Sequence, residues 1–178
     1  MESRIELGNY FHERGYKVGA EVGVACGFFS EVLCKAIPGL KLYAVDIWDF
    51  SPDDDDKTTA KQQKWNYDEA RVRLAEYDVK FVKKRSMEAV RLFQDGELDF
   101  VYIDASHSFD NSMEDIINWS RKVRKGGVVS GHDYSTKKPG VKLAVDTYVK
   151  VHNLKLQVIK YNPKNPTFNK DPSYYWTK

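Results

Sequence analysis

Two aspartates and two histidines, Asp104, His107, His132 and Asp133, fall at or just beyond the ends of two apolar runs, "LDFVYID" and "VVSGHDY". Carboxylate and imidazole groups gathered in one place can bind a divalent cation or move a proton near neutral pH, because imidazole titrates at about 6.5. A second group lies upstream: Glu21, Gly23 and Gly27 stand in "AEVGVACGFF", and Asp46 falls in "KLYAVDIW". Glycines at a strand-to-helix turn let a ligand approach the backbone, and a carboxylate about 20 residues further on can accept the two hydroxyls of a ribose.

These residues meet only if the fold sets their runs side by side. Leu7, Tyr10 and Phe11 fall at helical spacing before Gly15, and "GAEVGV" reads as a first strand. Phe28, Phe29, Val32, Leu33, Ala36 and Ile37 form a helical stripe ended by Pro38 and Gly39, and "KLYAVDIW" is a second strand. Residues 51–64, with Asp53, Asp54, Asp55 and Asp56, read as a solvated polar loop, long enough to act as a lid or binding loop. Trp65, Val72 and Ala75 can share a helical face, and "VKFVK" is a third strand. Ser86 stands as an N-cap before Met87, Ala89, Val90 and Phe93, and Ser112 with Asp115 has the spacing of a capping box. Met113, Ile116, Ile117 and Val123 form its stripe, ended by Gly126 and Gly127. Val141, Ala144, Val145 and Tyr148 mark a last helix, and "LKLQVIKY" and "PSYYWTK" are two strands joined by the polar "NPKNPTFNKD".

Five strands alternating with helices predict a parallel α/β sheet covered on both faces, and two final strands without a helix between them predict antiparallel pairing at one edge. Ligands of such sheets collect beyond the carboxyl ends of the strands, where adjacent strands lie about 4.8 Å apart, so all the residues named at the outset can share one crevice.

Composition narrows the partner. A chain of 178 residues suits one domain and buries about 70% of its unfolded surface. Lysine plus arginine against aspartate plus glutamate is 28 to 26, a formal charge of +2 that indicates neither nucleic acid nor an anionic membrane as partner. The first 17 residues scatter charge among apolar residues, unlike a signal peptide or membrane span, and Cys26 and Cys34 are too close to suggest a structural disulfide. The expectation is a soluble, cytoplasmic protein.

A dinucleotide-binding turn beginning at Gly23 would place glycines at 25 and 28, where the chain has Ala25 and Phe28. That spacing counts against a nicotinamide-dependent oxidoreductase. The spacing present, Glu21, Gly23 and Gly27 followed by Asp46, resembles the first motif of class I S-adenosylmethionine-dependent methyltransferases. "RSMEAV", "DFVYIDASHSFD" and "RKVRKGGVVSGHDY" extend the likeness to the small methyltransferase-domain family that includes the macrocin- and mycinamicin-type O-methyltransferases.

The resemblance implies a Rossmann-like, doubly wound, seven-stranded sheet, mostly parallel with an antiparallel C-terminal edge strand, in the order 3-2-1-4-5-7-6, forming one domain over residues 1–178. It implies that Glu21, Gly23 and Gly27 meet the methionine end of S-adenosylmethionine, that Asp46 takes the ribose, and that Ser86 and Met87 flank the adenine. Trp48 either shields that ring or packs beneath the long loop. Asp104 borders cofactor and acceptor, His107 is the candidate base, and Asp104, Asp133 and His132 are the candidate ligands of a divalent cation. His132 stands where metal-dependent relatives place a carboxylate, which disfavours magnesium and leaves a softer metal, weak binding through the two aspartates and waters, or a His132 that only orients a neighbour. The implied acceptor is a small molecule methylated on oxygen or, second, nitrogen. Its recognition falls to residues 51–64, 135–140 or 162–171, or to a second subunit of a homo-oligomer. A cofactor-binding module of a larger assembly, performing no transfer, is the other reading.

Overall fold

The computed structural model describes residues 1, 3–50, 58–159 and 171–178. Six helices, α1 (Arg4–Glu13), α2 (Phe28–Ala36), α3 (Ala60–Arg73), α4 (Ser86–Ala89), α5 (Phe109–Lys122) and α6 (Pro139–Val151), alternate with strands β1 (Val18–Val22), β2 (Lys41–Asp46), β3 (Val79–Lys83), β4 (Leu98–Ile103) and β5 (Val123–Gly131). The chain ends with β6 (Gln157–Ile159) and β7 (Ser173–Thr177). The sheet order is β3-β2-β1-β4-β5-β7-β6, as the family resemblance implied. β1 to β5 pair in parallel, and β7 runs antiparallel between β5 and β6.

Alternation along the central strands divides the core between two faces. Ala20, Val22, Tyr43, Val45, Val101 and Ile103 pack with Ile116 and Trp119 of α5 and Ala144 and Val145 of α6. Leu42, Phe100, Tyr102 and Val128 face the other way, onto Leu7 and Phe11 of α1 and Phe29 and Leu33 of α2. No described helix is long and apolar enough to cross a membrane.

Register brings the chemistry into one row. Val22 is opposite Val45 on one side and Ile103 on the other, and Ile103 is opposite Gly131. The ladder continues one step past the strands: Gly23 N–H donates to the Val45 carbonyl at 2.9 Å, Asp104 N–H to Val22 at 2.7 Å and His132 N–H to Ile103 at 3.0 Å. Gly23, Asp46, Asp104 and His132 therefore leave the sheet at one level.

The structure departs from the local expectations in five places. Residues 60–64 belong to α3, started by Thr59, whose hydroxyl accepts the Gln62 N–H at 3.2 Å; residues 51–57 lie outside the described residues. A helix that buries little beyond Ala70 shows no apolar stripe, and Trp65 and Val72 are exposed rather than inward. Ser86 is the first residue of α4, behind Arg85, and its hydroxyl is used elsewhere. The cap of α5 is Ser108, four residues before Ser112, which donates to the Ser106 carbonyl. β5 begins at Val123, and the Gly126–Gly127 pair lies inside it at a register shift opposite Leu98 and Phe100.

Gly23 is required by the protein before any ligand arrives. Its φ is +89°, and a Cβ there would stand 1.9 Å from the Asp104 carbonyl oxygen. Gly23→Ala should cost on the order of 2–5 kcal/mol through backbone strain and collision with β4. Gly15→Ala, at φ +71° with nothing within 4 Å, should cost about 1–2 kcal/mol. Urea unfolding of the two variants checks the difference; equal losses would contradict it.

Candidate active site

A cleft of about 720 Å³ opens along the carboxyl ends of β1, β2, β4 and β5. Glu21, Gly23, Asp46, Ser86, Met87, Asp104, His107 and Asp133 all line it. This size suits a nucleoside-sized ligand with room for a second molecule.

One carboxylate builds the wall of the turn. Asp46 Oδ2 accepts the backbone N–H groups of Val24 and Ala25 at 2.8 and 2.9 Å, and Oδ1 accepts that of Trp48 at 2.9 Å. A carboxylate offers about four acceptor positions, so these bonds leave room for about one more donor rather than the two expected from a ribose. The fastening is paired: Trp48 Nε1–H donates to the Ala25 carbonyl at 2.8 Å. Trp48 is buried against Tyr67 and Phe81 and does not line the cleft, so of its two readings packing is the one found. Gly27, at φ +78°, also leaves the cleft wall to its neighbours; its open side is occupied by Leu74 and Ala70 beside α3. Ala25 (φ 48°), Trp48 (φ 40°) and Asp133 (φ 61°) hold left-handed backbone without being glycine, and all three border these strand ends.

Glu21 is buried and accepts the Ser30 hydroxyl of α2. Burial pushes its carboxyl up to about 8, despite the Ser30 bond, so it is mainly neutral at pH 7 in this state. At the opposite wall, Asp115 of α5 accepts the Ser86 hydroxyl, and Ser86 Oγ in turn accepts the Trp119 indole N–H at 2.8 Å. Burial raises Asp115 to about 6. Asp115 lines the cleft beside Ser86 and Met87, a role concealed in the sequence by its capping-box spacing.

The acid and imidazole groups gather as their strand ends required. His107 Nε2 lies 2.9 Å from Asp133 Oδ2, and Lys138 Nζ lies 2.9 Å from His107 Nδ1. An ammonium can only donate, so His107 holds its proton on Nε2, donates it to Asp133 and accepts at Nδ1. Both nitrogens are thus engaged, and Lys138 was not foreseen because it follows the last strand-end motif. His132 sits behind them, fully buried, with Nδ1 3.0 Å from Asp133 Oδ1 and 3.7 Å from Asp104 Oδ1. Neither contact has hydrogen-bond geometry, so among the described residues Nδ1 is a buried nitrogen without a hydrogen-bond partner.

Burial alone would lower His132, but Asp133 and Asp104 outweigh it and hold it up. Burial likewise opposes ionisation of Asp133, yet His107 and His132 hold its carboxyl well below the usual range. Asp104, with 23% of its side chain open, is raised chiefly by burial. Ligand atoms of Asp104, His132 and Asp133 lie within 4.8 Å of one another. The orphaned nitrogen between two carboxylates fits a divalent cation that accepts mixed nitrogen and oxygen ligands better than magnesium.

A family model described as a methyltransferase domain matches residues 20–134. The fold is shared with an O-methyltransferase from Bacillus cereus solved with SAH, at 14% identity and TM-score 0.70 over 98% of this chain and 80% of that one. It is shared with the O-methyltransferase TomG from Streptomyces achromogenes, involved in tomaymycin synthesis and solved with SAM, at 15% identity and TM-score 0.70 over 98% and 78%. The O-methyltransferase NovP gives 19% identity and TM-score 0.68 over 98% and 79%. No curated protein sequence matches the chain.

The raised Glu21 carboxyl makes stability depend on pH. Its folded value, about 8, exceeds the ordinary 4.5, so the protonated group contributes stability that is complete below about pH 4.5 and lost as pH rises through 8. Melting of the ligand-free protein and of Glu21→Gln across this window should show wild type losing ground steadily to the variant. Parallel curves would contradict the buried, neutral carboxyl.

Proposed function

The chain belongs to the methyltransferase-domain family and is a class I S-adenosylmethionine-dependent methyltransferase; on that premise we propose that it methylates an oxygen of a small-molecule acceptor, with His107 as the base. The observation that carries the proposal is the single row of Gly23, Asp46, Asp104 and His132 at the rim of one cleft, with the His107–Asp133 pair beside it. When bound, S-adenosylmethionine supplies a methyl group on a sulfonium that departs as a neutral thioether when an oxygen attacks.

The protein's part is placement and proton removal. Asp46 holds the turn and offers its remaining acceptor position to one ribose hydroxyl. Ser86 and Met87 flank the adenine, against the wall that Asp115 and Trp119 stiffen. Glu21 lies by the methionine end, where an ammonium would draw it into its ionised form. Alignment of acceptor and donor at about 3–3.5 Å in the closed cleft supplies much of the rate.

Asp133 keeps the proton on His107 Nε2, which leaves Nδ1 as the accepting nitrogen. The acceptor hydroxyl takes the place that Lys138 holds against Nδ1, and its proton passes there. Asp104, His132 and Asp133 would hold a divalent cation, whose chemistry is to lower the pKa of the acceptor hydroxyl. The small-molecule acceptor is supported by the cleft's size and by TomG, whose name ties it to tomaymycin synthesis.

Two variants test these roles. His107→Ala should lower kcat for methyl transfer by about 10²- to 10⁴-fold while SAH affinity stays unchanged. Full transfer by the variant would remove His107 as base. Asp46→Ala should weaken SAH roughly ten- to a hundred-fold in calorimetry. Unaltered affinity would remove the ribose contact.

A further inference from the structure

Arg4 stands in the first turn of α1, outside the residues 20–134 that the family model matches, yet its side chain enters the cleft beside Glu21 and Asp104. Only 10% of that side chain is exposed. The guanidinium lies over the Phe29 ring, 5.1 Å from its centroid, with the Tyr102 hydroxyl nearby. Its ion pair among the described residues is a single contact of NH1 with Asp104 Oδ2 at 3.9 Å, the outer limit for such a pair.

That contact leaves unused the geometry for which a guanidinium is suited. Its planar fork matches a carboxylate through two parallel N–H···O bonds, and one long contact to one oxygen exploits neither. Burying an arginine against a ring and a tyrosine, with so loose a partner, is costly unless a further anion arrives.

The surrounding charges specify that anion. Glu21 and Asp104 offer carboxylates at the same end of the cleft, and Arg4 offers a cation between them and α1. An amino-acid group is the complementary ligand: its ammonium pairs with the acids and its carboxylate with the guanidinium. We propose that Arg4 binds the α-carboxylate of the methionine moiety of S-adenosylmethionine through a two-point ion pair. This rests on the cofactor reading above and adds to it a residue from a helix that precedes the matched domain. α1 thereby becomes part of the binding site as well as a cover for the sheet.

The alternative role for Arg4 is that of a counter-ion steadying Asp104, and ligand chemistry separates the two. Calorimetry is run on wild type, Arg4→Gln and Arg4→Lys with SAH and with 5′-methylthioadenosine, which keeps the adenosine and thioether but lacks the amino acid. Arg4→Gln should weaken SAH roughly ten- to a hundred-fold and leave methylthioadenosine affinity unchanged. Arg4→Lys, which keeps the charge without the fork, should recover part of the loss. The methylthioadenosine titration also reports that the variant is folded, and if the glutamine variant does not fold the lysine variant carries the same comparison.

Equal losses for both ligands would overturn the proposal in favour of the counter-ion role, and unchanged SAH affinity would overturn it outright. Failure of wild type to bind either ligand would defeat the cofactor reading itself, and this inference with it.

Discussion

The Asp46 carboxylate is the interaction on which the site depends. It ends β2, and its two oxygens collect three backbone N–H groups, two from the turn after β1 and one from its own strand's continuation. A turn that must hold Ala25 at positive φ, against a β2 continuation that holds Trp48 at positive φ, has reason to open, and charge-assisted bonds to an anion oppose that opening. Because Gly23 simultaneously meets the end of β4 with no space for a side chain, the turn is fixed from both sides. The cleft is therefore shaped before a ligand enters it, which lowers the ordering cost of binding.

Electrostatics along the rim are organised by burial. Glu21 and Asp115 are raised by it, on opposite walls, and each has a serine hydroxyl as partner. Between them His132 and Asp133 support one another's charged forms, while Asp104 remains partly open to the cleft. A cation, an ammonium and a sulfonium are the species such a distribution attracts, and Arg4 is placed to answer the one anionic group of the proposed cofactor.

Much of this was legible in the sequence, and the reasons are local. The central strands carry largely apolar runs ending near an acid or glycine, so their carboxyl ends, and hence Asp46, Asp104 and Asp133, could be placed together. Parallel register then required the convergence found. The start of α3 is hidden in the sequence because a helix resting on Ala70 has no periodic buried stripe. Ser86 and Ser112 were assigned to caps by spacing alone, whereas their hydroxyls serve Asp115 and the Ser106 carbonyl across tertiary contacts that spacing does not encode. The two turn glycines were read as making room for a ligand, but Gly23 makes room for β4 and Gly27 for α3. Arg4 carried no signal, since an arginine beginning an amphipathic helix is ordinarily a surface residue.

Amide hydrogen exchange at Val24, Ala25 and Trp48, followed with and without SAH, examines the central interaction most directly. The account predicts that these three amides are already protected in the free protein, and that SAH adds protection at the ends of β1, β2 and β4, in α4 and in the first turn of α1. Rapid exchange at all three in the free protein, or added protection elsewhere on the sheet, would contradict it.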